Sequence, residues 1–107
     1  MLPKLALLSA ALLLTPLAAR HDDLFLNEDF ETGLVNITDG DDIFYWLFRS
    51  KEAPSLDPLV LWLTGGPGCA SEIALFYENG PFKIENNMTL SPNENAWNKF
   101  ANLLYVD

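Results

Sequence analysis

The apolar positions of this chain fall into short strand-like runs separated by polar turns, with one glycine-rich turn among them. Gly33-Leu34-Val35-Asn36-Ile37-Thr38 alternates and predicts a strand. Asp39-Gly40-Asp41-Asp42 follows as a turn cluster, Asp-Gly being a common hairpin signal. Ile43–Arg49 is aromatic and β-branched and is expected to pair back on the first strand. Both hairpin strands carry large residues, so one face must be covered. After the polar loop Ser50–Pro58 comes Leu59–Leu63, apolar throughout, as in strands buried on both faces of a sheet. Ser71–Tyr77 predicts a helix with Glu72 in its first turn and Ile73, Leu75, Phe76 and Tyr77 as its bulk. Asn79-Gly80-Pro81 ends that helix, the glycine suited to a left-handed cap and the proline blocking continuation. Phe82-Lys83-Ile84 and Met88-Thr89-Leu90 predict short extended pieces, and Leu103–Val106 a second continuous apolar strand. Strand, turn, helix and strand together predict an α/β architecture, here the opening part of a larger domain.

Residues 1–19 stand apart from this pattern. Lys4 precedes the apolar stretch Leu5–Leu14, and Leu17-Ala18-Ala19 supplies small residues ahead of Arg20-His21-Asp22-Asp23. That is the layout of a secretory signal peptide, and its apolar run is shorter than the roughly 20 residues that span a bilayer. No later stretch is long and apolar enough to span, so no membrane association is expected after cleavage. Two N-x-[ST] triplets agree with export, Asn36-Ile-Thr38 and Asn87-Met-Thr89, and Asn87 lies in the more polar surroundings. Residues 20–107 are expected to form a single segment of one domain.

The chain of 107 residues is half apolar and carries a net charge of −9. Its acidity, with a pI near 4.3, argues against nucleic acid as a partner, since a basic surface supplies most of that affinity. Cys69 is the one cysteine. In an exported protein it predicts either a disulfide to a cysteine outside this chain or a small buried thiol.

The chemistry concentrates at Thr64-Gly65-Gly66-Pro67-Gly68-Cys69-Ala70-Ser71. Glycines leave the backbone uncovered, and uncovered N–H groups at a strand's end can hold an oxyanion. A phosphate-binding P-loop is excluded, because no lysine follows the glycines. A dinucleotide fingerprint fits G-x-G-x-x-G except at its last position, with Glu85 as the ribose-binding acid. Against it, Pro67 lacks the N–H a pyrophosphate needs, and an aromatic hairpin precedes the strand. An oxyanion loop after the third strand, as in α/β-hydrolases, matches the order of elements. A tight turn made for packing alone also remains open.

The run Leu61–Ser71 closely resembles the signature of the serine carboxypeptidases. The resemblance continues through Leu75-Phe76-Tyr77-Glu78-Asn79-Gly80-Pro81-Phe82 and through Trp97–Asp107, and upstream in Thr32–Val35 and Phe44–Phe48. It implies the N-terminal part of an α/β-hydrolase fold, a mixed central sheet with flanking helices. The implied activity is that of a serine-type carboxypeptidase, which cleaves a C-terminal peptide bond through an acyl-enzyme. It implies no cofactor and no metal, and its partners are peptides or proteins with a free C-terminus. Gly66 resembles the residue whose N–H forms part of the oxyanion hole. Thr64, Gly65 and Glu78 resemble the group that recognises the substrate's terminal carboxylate, and Cys69 resembles a half-cystine with a distant partner. Glu78 facing a carboxylate works only while it donates a hydrogen bond, a state that burial and nearby negative charge favour. Action that weakens as pH rises, in an acidic vacuole or lysosome, would follow. Thr64 stands where the family often has Asn, and Ala70 where it has Ser.

The remaining machinery is missing from this sequence. It contains no G-x-S-x-G, its one histidine is His21, and Ser71 lies at a helix start. The 107 residues alone are therefore expected to be inactive. A carboxypeptidase-like acyltransferase, a dinucleotide-binding module and a non-catalytic secreted protein on a hydrolase fold are the competing readings.

Overall fold

The computed structural model describes residues 23–107. The signal-peptide reading of residues 1–19, and His21, lie outside them.

Asp-Gly at 39–40 closes the first hairpin, as its turn chemistry requires. Gly40 takes a positive φ of 96°, and Thr38 pairs with Asp41 across a two-residue loop. The hairpin joins β1 (Phe30–Thr38) to β2 (Asp41–Phe48). A bulge between Asn36 and Thr38 leaves Ile37 without an opposite partner. β1 begins at Phe30, earlier than the alternation from Gly33 indicates, because Phe30 and Glu31 continue the ladder opposite Phe48 and Leu47.

β3 (Leu59–Trp62) and β6 (Asn102–Val106) complete a four-stranded mixed sheet in the order β1-β2-β6-β3. β6 runs antiparallel to β2 and parallel to β3, so Leu103 lies opposite both Phe48 and Val60. A second, two-stranded sheet pairs β4 (Phe82–Ile84) with β5 (Leu90–Pro92). β5 starts later than the Met88-Thr89-Leu90 pattern predicts, because Met88 turns left-handed, at φ 64°, within the β4–β5 connection.

Period-two alternation sends Phe30, Trp46, Phe48, Val60, Trp62, Leu103 and Tyr105 to one face of the main sheet. There Phe48, Leu103 and Tyr105 are fully buried against Ala74, Leu75 and Phe82. Aromatic edges dominate this core: Trp46 stacks on Phe48 at 5.4 Å between centroids, and Phe48 meets Phe82 and Tyr105 edge-on.

Among the described residues most of the other face is uncovered. Val35, Ile37, Leu59 and Leu61 are exposed, and a groove of about 410 Å³ runs over Ile43, Tyr45, Leu47 and Leu104. The expectation that Leu59–Leu63 is buried on both faces is therefore not met among the described residues, where β3 is an edge strand covered on one side.

The helical segment is also divided. Ser71–Ile73 forms a 3₁₀ turn and α1 (Ala74–Tyr77) a single α turn. Gly80 does not act as the left-handed cap expected of it, since positive φ among the glycines occurs at Gly40 and Gly68. It is needed instead for closeness. A Cβ there would sit 2.3 Å from the Cα of Leu75, and the Gly80 N–H donates to the Ala74 carbonyl at 3.0 Å.

Buried asparagines tie the loops to this frame. Asn102 accepts from the Ser50 N–H and donates to the carbonyls of Pro54 and Asp57, fixing the β2–β3 loop. Asn98 donates to Glu28 at 2.8 Å, and Glu28 pairs with Lys51.

Gly80→Ala is expected to destabilise the chain by about 3 kcal/mol, because backbone must move to admit the methyl group. Leu103→Ala should cost a similar ~3 kcal/mol by opening a cavity, whereas Leu61→Lys on the bare face should stay within ~0.5 kcal/mol. Urea denaturation midpoints measure all three. Leu61→Lys should also lower the emission of an apolar surface dye bound to the native chain.

Candidate functional site

β3 delivers the chain to the glycine turn, and the last side chain of that strand begins the site. Trp62 points to the covered face, where its ring packs edge-on against Trp97 at 5.4 Å. A half-buried indole needs a partner for its N–H, and this one donates from Nε1 to Oε2 of Glu78 at 3.1 Å. Two elements meet through that bond, the end of β3 and the end of α1.

Thr64 follows. Its N–H donates to Oγ of the buried Ser71 at 3.3 Å, so Ser71 braces the start of the turn and is a packing residue, as its position indicates. The Thr64 hydroxyl oxygen is buried without a hydrogen-bond partner among the described residues. A buried hydroxyl with no partner costs free energy.

Gly65, Gly66 and Gly68 are exposed, and no described residue accepts a hydrogen bond from their N–H groups. The turn folds tightly over Gly66. A Cβ there would lie 3.0 Å from the nitrogens of Gly68 and Cys69 and 3.1 Å from the Cys69 sulfur, so a side chain would crowd the amides. Gly68 takes φ 81°, a conformation that suits glycine. Successive unpaired amides in such a turn form a concavity suited to negative charge. Cys69 is exposed and free, which removes the buried-thiol reading.

Glu78 is exposed, and the burial expected for it is absent among the described residues. Its backbone is nevertheless held firmly. The Glu78 N–H donates to Ala74 at 3.2 Å, and the next residue, Asn79, accepts from the Tyr105 hydroxyl at 3.1 Å through Oδ1. Asn93 completes the hold. Its Nδ2 donates to the Gly80 carbonyl at 2.8 Å, and its N–H to Pro81 at 2.8 Å.

Thr64, Gly65, Gly66 and Glu78 thus share one end of β3 and α1. Trp62 and Asn93 belong with them and are not singled out by sequence reasoning. The signal for Trp62 is present, as the one residue in an apolar strand with a donor to satisfy. Asn93 lies in a polar stretch where nothing distinguishes it from Asn86, Asn87 or Asn95. Glu85 lies apart from the turn in the β4–β5 connection, where it accepts from the Ser91 hydroxyl. Among the described residues, no group of His, Cys, Asp and Glu is placed to hold a metal ion.

Comparison with known proteins bears on the family of the chain. The sequence model of the serine carboxypeptidase family matches residues 21–107. The chain is 58% identical over 73 residues to serine carboxypeptidase S10 family member 1 of Dictyostelium discoideum, spanning 68% of this chain and 18% of that relative. It is 60% identical over 65 residues to serine carboxypeptidase-like 48 of Arabidopsis thaliana, spanning 61% of this chain and 12% of that relative. Among solved structures it resembles Kex1Δp, a prohormone-processing carboxypeptidase from Saccharomyces cerevisiae. There the TM-score is 0.62 at 31% identity, over 75% of this chain and 19% of that one. The chain spans less than a fifth of the length of each of these relatives. A dinucleotide-binding origin for the glycine turn finds no support in these matches.

The Tyr105 phenol beneath the site is pushed above its ordinary range, chiefly by burial and secondarily by the charge of Glu78. A folded-state value above the unfolded one gives a stabilisation that is complete below pH ~10 and is lost as pH rises past it. Alkaline titration followed by circular dichroism should therefore show stability falling above pH ~10. In Tyr105→Phe the fall should be shallower, from a starting stability lower by about 1 kcal/mol.

Proposed function

From its membership of the serine carboxypeptidase family, to which this chain belongs, we propose that it supplies the oxyanion-binding and carboxylate-binding part of a serine-type carboxypeptidase. The enzyme would be built on an α/β-hydrolase domain. It would remove C-terminal residues from peptides or proteins through an acyl-enzyme, in a vacuole, a lysosome or outside the cell.

One observation carries the reading: Gly65 and Gly66 are exposed just beyond the end of a sheet strand, and their amides donate to no described residue. In the acyl-transfer step a carbonyl oxygen gains negative charge as a nucleophile adds. The Gly66 N–H is then one of the donors that receives it, worth about 3 kcal/mol of transition-state stabilisation. The substrate's terminal carboxylate would lie against Thr64, Gly65 and Glu78. Trp62 fixes one oxygen of Glu78 and leaves the other to face the substrate. Proton abstraction and nucleophilic attack need a serine, a base and an orienting acid, none of which this sequence supplies in an elbow context.

The test compares this chain with the product of its complete coding region on an N-blocked dipeptide at acidic pH. The 107 residues alone should give no turnover, and the complete product should release the C-terminal amino acid and be labelled by a serine-directed fluorophosphonate. Turnover by the chain alone would refute the assignment of roles, and a complete product without a reactive serine would refute the activity. In an active product, Gly66→Ala should lower kcat by about 100-fold with little change in KM. Glu78→Gln, which alters the group set against the substrate's terminal carboxylate, should change KM more than kcat. Trp62→Phe should raise KM several-fold and leave kcat nearly unchanged.

A further inference from the structure

The two N-x-[ST] triplets have no part in this chemistry, and the structure treats them in opposite ways. Asn36 is committed. Its Nδ2 donates to the Thr38 carbonyl at 2.8 Å, the Asp41 carbonyl at 3.3 Å and Oδ1 of Asp42 at 3.1 Å, inside the bulge that turns β1 into β2. The Thr38 hydroxyl is turned away from Asn36 and donates to the Asp41 carboxylate at 2.7 Å. A sugar on Asn36 Nδ2 would remove a proton that holds the hairpin turn and would crowd that carboxylate.

Asn87 is arranged otherwise. It lies in the β4–β5 connection, where residues 85–89 are all exposed. Two backbone bonds close that turn, from Glu85 N–H to the Thr89 carbonyl and from Met88 N–H to the Glu85 carbonyl, each at 2.9 Å. The Thr89 hydroxyl and N–H both donate to Oδ1 of Asn87, at 2.6 and 3.2 Å. The acceptor half of the amide is thus held by the hydroxyl of its own triplet, and Nδ2 donates to no described residue. Converting that nitrogen to a secondary amide breaks no bond in the fold and points the substituent into water.

We propose that Asn87 is the N-glycosylation site of this chain and that Asn36 stays unmodified. The donor is a lipid-linked oligosaccharide diphosphate. The bond from Nδ2 to the first sugar's C1 forms as the C1–O bond to the diphosphate breaks. The diphosphate leaves with the electron pair, and Nδ2 gives up one proton. The site does not depend on the catalytic reading; it requires export, which residues 1–19 predict.

Cell-free translation of the whole 107-residue chain with microsomal membranes tests it, import being scored by protection from added protease. The protected chain should show a single mobility step that an N-glycan-releasing amidase reverses. Asn87→Gln and Thr89→Ala should abolish the step, while Asn36→Gln and Thr89→Ser should retain it. A step that survives Asn87→Gln, two steps in the native chain, a protected chain with no step, or a chain left open to protease each overturns the proposal. The hydrolase reading is untouched by any of these outcomes.

Discussion

The hydrogen bond from the Tyr105 hydroxyl to the side-chain carbonyl of Asn79 joins the two halves of this structure. Tyr105 belongs to the central strand of the sheet, and Asn79 to the bend that follows the only α turn among the described residues. Both side chains are buried, so neither can exchange its partner for water, and loss of either leaves a polar group stranded. Through that bend the sheet helps set the position of Glu78, together with the short helical turn, where Ala74 accepts the Glu78 N–H. Asn93 holds the other side of the bend through the Gly80 carbonyl, and Gly80 lets it lie against Leu75. A single α turn has little stability of its own, and these contacts replace what it lacks.

The glycine turn follows the same logic from the opposite direction. Its glycine amides have no partner among the described residues, because β3 ends at Trp62 and the chain leaves the sheet there. Ser71 fixes where the turn begins, through the Thr64 N–H. The site is therefore built from groups whose satisfaction inside the protein is deliberately incomplete: unpaired amides, a buried hydroxyl and one carboxylate oxygen. Of these only the buried hydroxyl is a cost to folding, since the exposed amides and carboxylate oxygen are met by water.

Much of this was legible in the residues themselves. Asp39-Gly40 announced the hairpin, period-two alternation placed Phe48 and Tyr105, and the glycines around Pro67 marked the turn. What was not legible concerns contact between distant segments. Leu59–Leu63 reads as doubly buried because every residue is apolar, yet burial depends on what covers each face, and composition is silent on that. Gly80 next to Pro81 reads as a left-handed cap, and its true reason, the nearness of Leu75, exists only in three dimensions. Asn93 and Trp62 acquire their roles from partners well removed in sequence, so no local pattern exposes them. The placement of Glu78 on the surface likewise depended on how the bend is held.

The strand order also governs how the chain can assemble as it is synthesised. β6 lies between β2 and β3 but follows both in sequence. Until it emerges, the aromatic hairpin and the Leu59–Trp62 strand have no common neighbour and cannot join one sheet. Each must wait with apolar surface uncovered, an interval in which a nascent polypeptide is prone to adhere to other molecules. Shielding by the ribosome surface or a holdase chaperone would matter most during that interval, and slow decoding between β3 and β6 would prolong the exposure.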